Sequence, residues 1–415
     1  KQKTAYEIGV RLVGSEMCIR DRALDDWRAL INDDWRGLTI ALYMVLVGYG
    51  VLVGIPVIST AWVTKLGFTE VEVGRVAGMD LGGLSAGAIV AAWVINRMNR
   101  RLIVFIGIFL AALANGLCLK YVDYDTVLWL RFLAGFGSGM YTAVAMAVFG
   151  TSIRPALAYN LMLFSFAFSQ ALEMRILPQL SMNGIYWVFI VCFLLTLPFL
   201  GWIKSYPKPR TQDTKSITTN KNNSSKPLLA WVCLFAIFLT YINIGAYWTY
   251  IELAALDSNT NPELVSEVLV WASLCSLLGC LIATLLSNRF GLLRPLLIAL
   301  FTMATGVGML AFGINEPKFL MSVFTFNLLW IFTDVYQMGS LANFDHGGNY
   351  AAYLPAAQGL GQIVGPNIAA SLLAINLGYS SVFIMCWSAA MLAMLIYWIL
   401  YRYLRNRYPS IADAS

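Results

Sequence analysis

The chain has 415 residues, of which 59% are hydrophobic and 12% are charged, and its mean hydropathy is +0.69. Most of the chain therefore cannot form a solvated surface, which excludes an ordinary soluble globular protein and predicts a polytopic membrane protein. The formal net charge of +6 is explained by the uneven placement of basic residues described below, so it gives no support to nucleic-acid binding.

The N-terminal segment differs from the rest of the chain. Its first 22 residues lack the apolar core of a signal peptide, and residues 10–22 resemble a translated sequencing adapter. We interpret residues 1–34 as a solvated lead-in whose first part looks non-native.

Apolar segments of bilayer-spanning length recur from residue 38 onward. A spanning helix needs roughly 20 mostly apolar residues. In chain order the segments are 38–61, 72–95, 102–121, 126–150, 156–180, 184–203, 228–256, 264–287, 292–314, 317–343, 350–376 and 379–403. They predict an all-α polytopic membrane protein with twelve transmembrane helices.

Two related basic turns lie at corresponding places in this series. One follows the second segment and the other follows the eighth, and their first residues are 192 positions apart. The spacing indicates a duplication, so we expect two six-helix bundles in parallel pseudo-twofold repeat. The residues of these turns are Asn96, Arg97, Arg100 and Arg101, then Asn288, Arg289 and Arg294.

Lysine and arginine concentrate in every second connection and in the C-terminal tail. The other connections contain only Lys65, Arg75, Lys120 and Lys318. Because basic residues are retained on the cytoplasmic side, we expect both termini in the cytoplasm, in a bacterial-type inner membrane or a plasma membrane.

A polar segment rich in Ser, Thr, Asn and Lys divides the two hydrophobic halves. It occupies residues 205–227 and is typical of a flexible linker. The predicted organisation is an N-terminal bundle at 35–204, a C-terminal bundle at 228–403 and a cytoplasmic tail at 404–415.

Two glycine patterns predict close contacts between helices. Gly135 and Gly139 follow Arg131 in the fourth segment, and their spacing lets a neighbouring helix approach. The eleventh segment contains Gly361 and Gly365 before Pro366, which is typical of close packing beside a proline kink. For Arg131 two interpretations remain open, a functional charge within the membrane or a side chain that reaches out to the interface.

These patterns resemble motifs of the major facilitator superfamily, and the resemblance extends from about residue 35 to residue 407. The basic turns are similar to the family's turn after helix 2, although Asn96 and Asn288 stand where the family has an acid. The run that begins at Arg131 resembles the family's helix 4 motif. The pattern at residues 359–366 resembles a motif that antiporters have in helix 5, and its place in the eleventh segment favours simple packing.

The resemblance implies a transporter that works by alternating access. It also implies that the basic turns form a cytoplasmic gate, latching neighbouring helix ends in the outward-open state. The polar turn containing Asp345 and His346 is expected to be a loop, and its alternative role is a gate contact of Asp345 with Arg97 or Arg289.

Four charged residues of the first half lie at membrane depth: Asp80, Arg131, Glu173 and Arg175. Such residues cost about 2.5 to 3.5 kcal/mol each on insertion, so they usually face a cavity or a partner. We expect Arg131 to pair with Asp80 or Glu173, and Glu173 and Arg175 to point to different sides of their helix. Either Asp80 or Glu173 is the candidate proton-coupling group, with a structural ion pair as the alternative.

In the second half, Asp334 is the acid that lies deepest in the apolar segments. Trp330, Asp334 and Gln337 follow a spacing that places them on one helix face, so they are candidates to line a substrate pathway together with Trp248. The alternative for the aromatic residues is ordinary membrane packing.

The sequence therefore predicts a secondary active transporter of a small organic solute, coupled to protons and monomeric in the lipid bilayer. The alternatives are a uniporter or drug-type antiporter of the same fold, or a receptor or scaffold that transports nothing. No phosphate-binding loop, metal-ligand cluster or nucleophile-base pair is evident, so we expect no enzyme, no cofactor and no metal.

Overall fold

The structure, a computed structural model, describes residues 35–95, 97–150, 152, 155–204, 227–286, 291–344, 350 and 353–407. These residues are predominantly α-helical and contain no β-strand. The predicted lead-in at 1–34, the linker at 205–226 and the turn with Asp345 and His346 lie outside the described residues.

The helices are numbered in chain order. They are α1 Trp35–Leu66, α2 Glu70–Val94, α3 Arg100–Cys118, α4 Tyr124–Gly150, α5 Pro155–Ile176, α6 Met182–Leu194, α7 Pro227–Asp257, α8 Pro262–Leu286, α9 Leu293–Gly308, α10 Glu316–Phe344, α11 Leu354–Ala374 and α12 Gly378–Arg407. A single turn residue, Tyr49, interrupts α1. Short 3-10 segments, Leu197–Trp202 and Met309–Phe312, extend α6 and α9.

Local sequence signals explain where several helices begin. Thr69 caps α2 by accepting the Glu72 N–H, while the Glu72 carboxylate accepts the Thr69 N–H at 2.8 Å. Asn99 caps α3 in a related way, accepting the Arg101 N–H at 2.9 Å. These side chains satisfy N–H groups that the first helical turn leaves unpaired. The turns between α1 and α2 and between α2 and α3 are therefore short and defined.

Ten helices among the described residues are long and apolar enough to cross a membrane, namely α1–α4, α6–α10 and α12. Large apolar side chains are exposed around the bundle, including Trp93, Trp129, Trp187, Trp271 and Phe312. An exposed apolar girdle of this kind fits contact with lipid tails and would be costly in water. The chain is therefore an integral, multi-pass membrane protein.

Contacts between helices place α2 against α4 and α8 against α10 within the two halves of the chain. Between the halves, α11 packs on α2, α5 on α8 and α1 on α7. We name the two ends of the bundle after their connections, the α1–α2 end and the α2–α3 end. The largest buried apolar cluster includes residues of both halves, so the halves share one core.

Glycines bring α2 and α4 into backbone contact. A Cβ at Gly135 or Gly139 would overlap the carbonyl oxygen of Asp80 or Leu84 on α2. On α11, a Cβ at Gly361 or Gly365 would collide in the same way with the backbone of α7. Helices therefore pack closely at both glycine patterns, and α11 continues as a helix through Pro366.

One helix and one glycine contact recur at the same offset in the two halves of the chain. Helices α2 and α8 both have 25 residues, and they begin and end 192 positions apart. On α2, a Cβ at Gly87 would meet the carbonyl oxygen of Phe136, and on α8 a Cβ at Gly279 would meet that of Leu328. Each residue of the second contact lies 192 positions after its counterpart in the first.

The α2–α4 contact gives a test of this packing. We expect Gly139→Ala to lower the unfolding midpoint in detergent, at a cost of about 1–3 kcal/mol, because the methyl group has no room beside Leu84. Gly116→Ala on α3 is the matched control, since a Cβ there would have no neighbour within 4 Å. Equal midpoints for both variants would contradict the proposed role of Gly139.

Candidate functional site

A buried ion pair lies where α2 and α4 touch. The Nε and Nη2 atoms of Arg131 donate to Asp80 Oδ2 at 2.8 and 2.5 Å, and Nη1 donates to Asn115 Oδ1 at 2.8 Å. Asp80 and Arg131 are each only 2% exposed, so Arg131 does not reach the interface and that interpretation is wrong. Of the two predicted partners, the structure pairs Arg131 with Asp80.

An aromatic ring and a small cavity adjoin this pair. The Arg131 guanidinium lies 5.8 Å from the centre of the Tyr186 ring, close enough for a cation–π contact. A small cavity beneath α1 borders Asp80, Asn115 and Arg131, and Ser138 also lines it. The charge of Arg131 is thus neutralised within the first half, and its guanidinium group is hydrogen-bonded to Asp80 and Asn115.

The second half lacks this arrangement at the matching places. The positions 192 residues after Asp80, Asn115 and Arg131 hold Ala272, Val307 and Val323, which are all fully buried in the main apolar cluster. Burying an ion pair is often no more stable than apolar packing of similar volume. The fold therefore does not need these charges to join the helices.

Glu173 lies inside the first half, against α1. Glycines at positions 50 and 54 make room for its carboxyl group, since a Cβ at Gly54 would stand 2.6 Å from Oε2. Ser169 donates to Oε1 at 3.3 Å, while the buried Oε2 accepts no hydrogen bond among the described residues. Glu173 has no ion-pair partner among the described residues.

Arg175 points away from Glu173, as the helical spacing predicts. Its Nη1 atom donates to Glu267 Oε1 on α8 at 3.0 Å, and the two side chains are 60% and 54% exposed. Arg175 therefore contributes to the contact between the halves, where sequence reasoning had not assigned Glu267 a role.

More polar contacts join the halves, and those of Arg75 and Tyr250 lie toward the α1–α2 end. Arg75 donates to Asn367 and Ser371 on α11, each at 3.0 Å. Gln170 donates to Asn327 on α10 at 3.1 Å. On α7, Trp248 donates to Val53 O at 3.2 Å and Tyr250 donates to Glu70 O at 2.8 Å.

The predicted stripe of the second half begins with aromatic residues. Trp248 stacks on Phe326, with ring centres 5.9 Å apart and an angle of 10°. Trp330 meets Trp248 edge-on at 6.1 Å and Phe326 at 5.8 Å. All three are buried, so these rings form an aromatic cluster between α7 and α10.

Asp334 follows Trp330 by one helical turn and is half-buried. The Tyr241 hydroxyl reaches both carboxylate oxygens at 2.8 Å, and Gln358 Nε2 donates to that hydroxyl at 2.9 Å. Gln337 donates to Thr240 at 2.8 Å, and its buried Oε1 accepts nothing among the described residues. Sequence reasoning missed Tyr241 because one tyrosine in an aromatic-rich segment gives no distinctive signal.

The described arginines of the basic turns contact their own half. Arg97 lies over the Trp93 ring at 4.9 Å, and Arg101 donates to Ile203 O at 2.7 Å and Gly201 O at 2.9 Å. Arg294 donates to the Tyr401 hydroxyl at 2.9 Å. Asn96, Asn288 and Arg289 lie outside the described residues, and Arg100 is buried. The gate role of these turns stays a prediction.

No group of three or more His, Cys, Asp or Glu side chains within the described ranges could hold a metal ion.

The contribution of the ion pair to stability can be tested by replacing its residues with those at the matching positions of the second half. We expect Arg131→Val alone to destabilise the protein by about 3–5 kcal/mol, because it leaves Asp80 buried and unpaired. The triple variant Asp80→Ala, Asn115→Val, Arg131→Val should regain most of the lost stability in thermal unfolding. If the triple variant is no more stable than the single one, the charges are required for packing.

Comparison with known proteins agrees with this architecture. Residues 38–344 match the family model described as Major Facilitator Superfamily. The crystal structure of a D-xylose-proton symporter is similar, with a TM-score of 0.67 and 16% sequence identity over 87% of this chain and 96% of that chain. That likeness shows the fold alone, and no curated protein sequence matches the chain. Because the family model spans more than half of its length, the chain belongs to the major facilitator superfamily.

Proposed function

We propose that the chain is a secondary active transporter that couples the movement of a small organic solute to protons by alternating access. Family membership already makes it a membrane transporter and not an enzyme. The structurally similar protein is named a proton symporter, which supports proton coupling here. The observation that carries the proposal is Glu173, a carboxyl group enclosed in the membrane domain without a cation beside it.

The proposed architecture has twelve spans in two six-helix bundles, at 35–204 and 228–403. Helices α5 and α11 complete the ten apolar spans, and each contacts the opposite half. The shared offset of α2 and α8, together with the equivalent Gly87 and Gly279 contacts, supports a duplicated unit. Two equivalent bodies joined by a linker suit rocking about a shared interface.

The proposed orientation places the α1–α2 end outside and both termini in the cytoplasm, following the distribution of basic residues. The polar contacts between the halves lie toward this outer end. The arginines at the opposite end, Arg101 and Arg294, contact the last helix region of their own half. This arrangement supports an outward-closed conformation, in which substrate is exchanged with the cytoplasm.

Between the two candidate proton carriers, the contacts favour Glu173. Asp80 accepts two charge-assisted hydrogen bonds from Arg131, which hold it as a carboxylate. Glu173 has only the Ser169 hydroxyl among the described residues, so an added proton would remove an unpaired charge that is costly in the membrane. Movement of α1 away from α5 would expose this carboxyl group to water.

Proton carriage by Glu173 predicts a specific transport defect. We expect Glu173→Gln in vesicles to lose proton-driven accumulation of a labelled panel of sugars, amino acids, amines and organic acids, while solute exchange without a gradient continues. Glu263→Gln, which removes an exposed carboxylate at the start of α8, should behave as the wild type.

Infrared spectroscopy gives a second measurement that does not require the substrate. The carbonyl stretch of protonated carboxylic acids should be weaker in Glu173→Gln than in the wild type, and unchanged in Glu263→Gln. An unchanged band together with normal gradient-driven accumulation in Glu173→Gln would exclude this residue. If no solute of the panel moves in the wild type, the transport proposal itself is wrong.

The outer contacts predict how the conformational equilibrium responds to charge. Arg175→Glu should repel Glu267 and increase the population that is open at the α1–α2 end, and adding Glu267→Arg should reverse the change. Exposed pairs contribute at most about 1 kcal/mol, so we expect a population shift of a few-fold. Electron-spin distances between labels at Gln179 and Asn261 measure it, and identical distance distributions in all variants would contradict this role.

A further inference from the structure

The structure assigns a chemical class to the substrate: we propose that Asp334 binds the ammonium group of a small organic cation whose apolar part packs on the Trp330 cluster. The inference rests on the proposed transport function. It depends on three observations, which are the free acceptor capacity of Asp334, the aromatic cluster one turn away and the neutralised state of Arg131.

The first observation is the sparse partnering of Asp334. A carboxylate has about four acceptor positions, and the described residues offer Asp334 a single hydroxyl, that of Tyr241. One turn further along α10, Gln337 is 1% exposed and its Oε1 also accepts no hydrogen bond in the described part of the chain. Unused acceptors near the membrane centre suit a ligand that brings N–H donors and a positive charge.

The second observation is the position of the rings. Phe326, Trp330 and Asp334 follow one another at four-residue intervals, so they form a stripe on one face of α10. Trp248, on α7, completes the aromatic cluster. Aromatic faces attract organic cations and also accept apolar groups. A bare inorganic cation would instead need several oxygen ligands, and the described residues contain no group of three or more His, Cys, Asp or Glu side chains that could hold a metal ion.

The third observation excludes an anionic substrate at the ion pair. All three donor nitrogens of Arg131 are engaged, two with Asp80 and one with Asn115. Arg75 and Arg175 are engaged at the outer contacts. None of these three arginines is therefore left to bind an anionic group, whereas Asp334 and Glu173 have no cation bound among the described residues.

The duplicated architecture shows that Asp334 is not needed for packing. The position 192 residues earlier holds Thr142, which donates to the backbone oxygen of Ser138 within α4. Tyr241, by contrast, has a tyrosine at the matching position, Tyr49. The second half therefore has an acid where the first half has a threonine, next to a tyrosine that occurs at the matching position in both halves.

Binding to purified protein tests the inference without transport. The probe is benzylamine, a cation at neutral pH, with benzyl alcohol and phenylacetate as its neutral and anionic counterparts, all measured by titration calorimetry. We expect saturable binding of benzylamine in the millimolar range or tighter. The two counterparts should bind at least about tenfold more weakly.

Variants separate recognition from structure. Asp334→Asn keeps the shape of the side chain and should weaken benzylamine binding at least about tenfold, whereas Glu263→Gln should not. Tyr241→Phe removes the hydrogen bond and keeps the charge, so it should retain binding. Trp330→Leu should weaken binding several-fold, while Trp271→Leu, which changes a 59% exposed ring on α8, should leave it intact.

Several results would overturn the inference. These are equal binding of the three probes, no saturable binding of benzylamine by the wild type, unchanged binding by Asp334→Asn, or an equal loss in Tyr241→Phe and Asp334→Asn. Binding that behaves as expected without flux of any solute would instead contradict the proposed transport function. The two failures are therefore distinguishable.

Discussion

Backbone contact between paired helices is the constraint on which the rest of the structure depends. Without side chains at Gly83, Gly87, Gly135 and Gly139, α2 and α4 approach until carbonyl oxygens of each helix lie where a Cβ would be on the other. In a bilayer, helices gain little from burying apolar surface, so close packing of this kind is a main source of stability. The same approach places Arg131 within hydrogen-bond distance of Asp80, so the charged site is a consequence of the glycine contact.

Comparison of positions 192 residues apart separates the contacts that recur in both halves from the polar residues that occur in only one. The Gly87 contact with Phe136 reappears as the Gly279 contact with Leu328, whereas the polar residues differ between the halves. The first half holds Asp80, Asn115 and Arg131 where the second has small or branched apolar residues. The second half holds Asp334 where the first has a threonine. A polar group that occurs in only one half is a candidate functional group, because the residue at the matching position of the other half shows that the helices pack without it.

The sequence predicted the elements better than the partners. Apolar length located the helices to within a few residues, and glycine spacing identified the close contacts at Gly135 and Gly361. These signals are local, so one segment is enough to recognise them. The partners of Arg75 and Arg175 lie far along the chain and in the other half, so only the packing of the two halves reveals them. The sequence limited the partner of Arg131 to Asp80 or Glu173 but did not distinguish them, and the packing of α2 against α4 shows that the partner is Asp80.

For the basic turns, the sequence predicted the location but not the contacts. Basic residues marked one end of the bundle, but the roles of individual arginines depended on neighbours that the spacing does not specify. Arg101 binds backbone oxygens just beyond α6, and Arg294 binds a tyrosine on α12. Both arginines therefore tie the third helix of their half to its sixth, a relation that follows the duplication although the acceptor groups differ.

The proposed proton carrier and the proposed cation anchor lie in opposite halves, so coupling requires contacts that cross the interface. Two such routes exist in the described residues. Glu173 is three residues from Gln170, which donates to Asn327, and Asn327 is three residues from Trp330. Glu173 also packs on Gly54, beside Val53, whose carbonyl oxygen accepts from Trp248 in the aromatic cluster.

Both routes end at Trp330, one turn from Asp334, and both contain a hydrogen bond that separation of the halves would break. A cation that alters the packing of Trp330 would therefore change the stability of contacts that begin next to Glu173, at Gln170 and Val53. Coupling arises when two sites bias one two-state element. Here that element is the packing of α1 and α5 against α7 and α10. The coupling between proton and solute is therefore placed at the interface of the two halves.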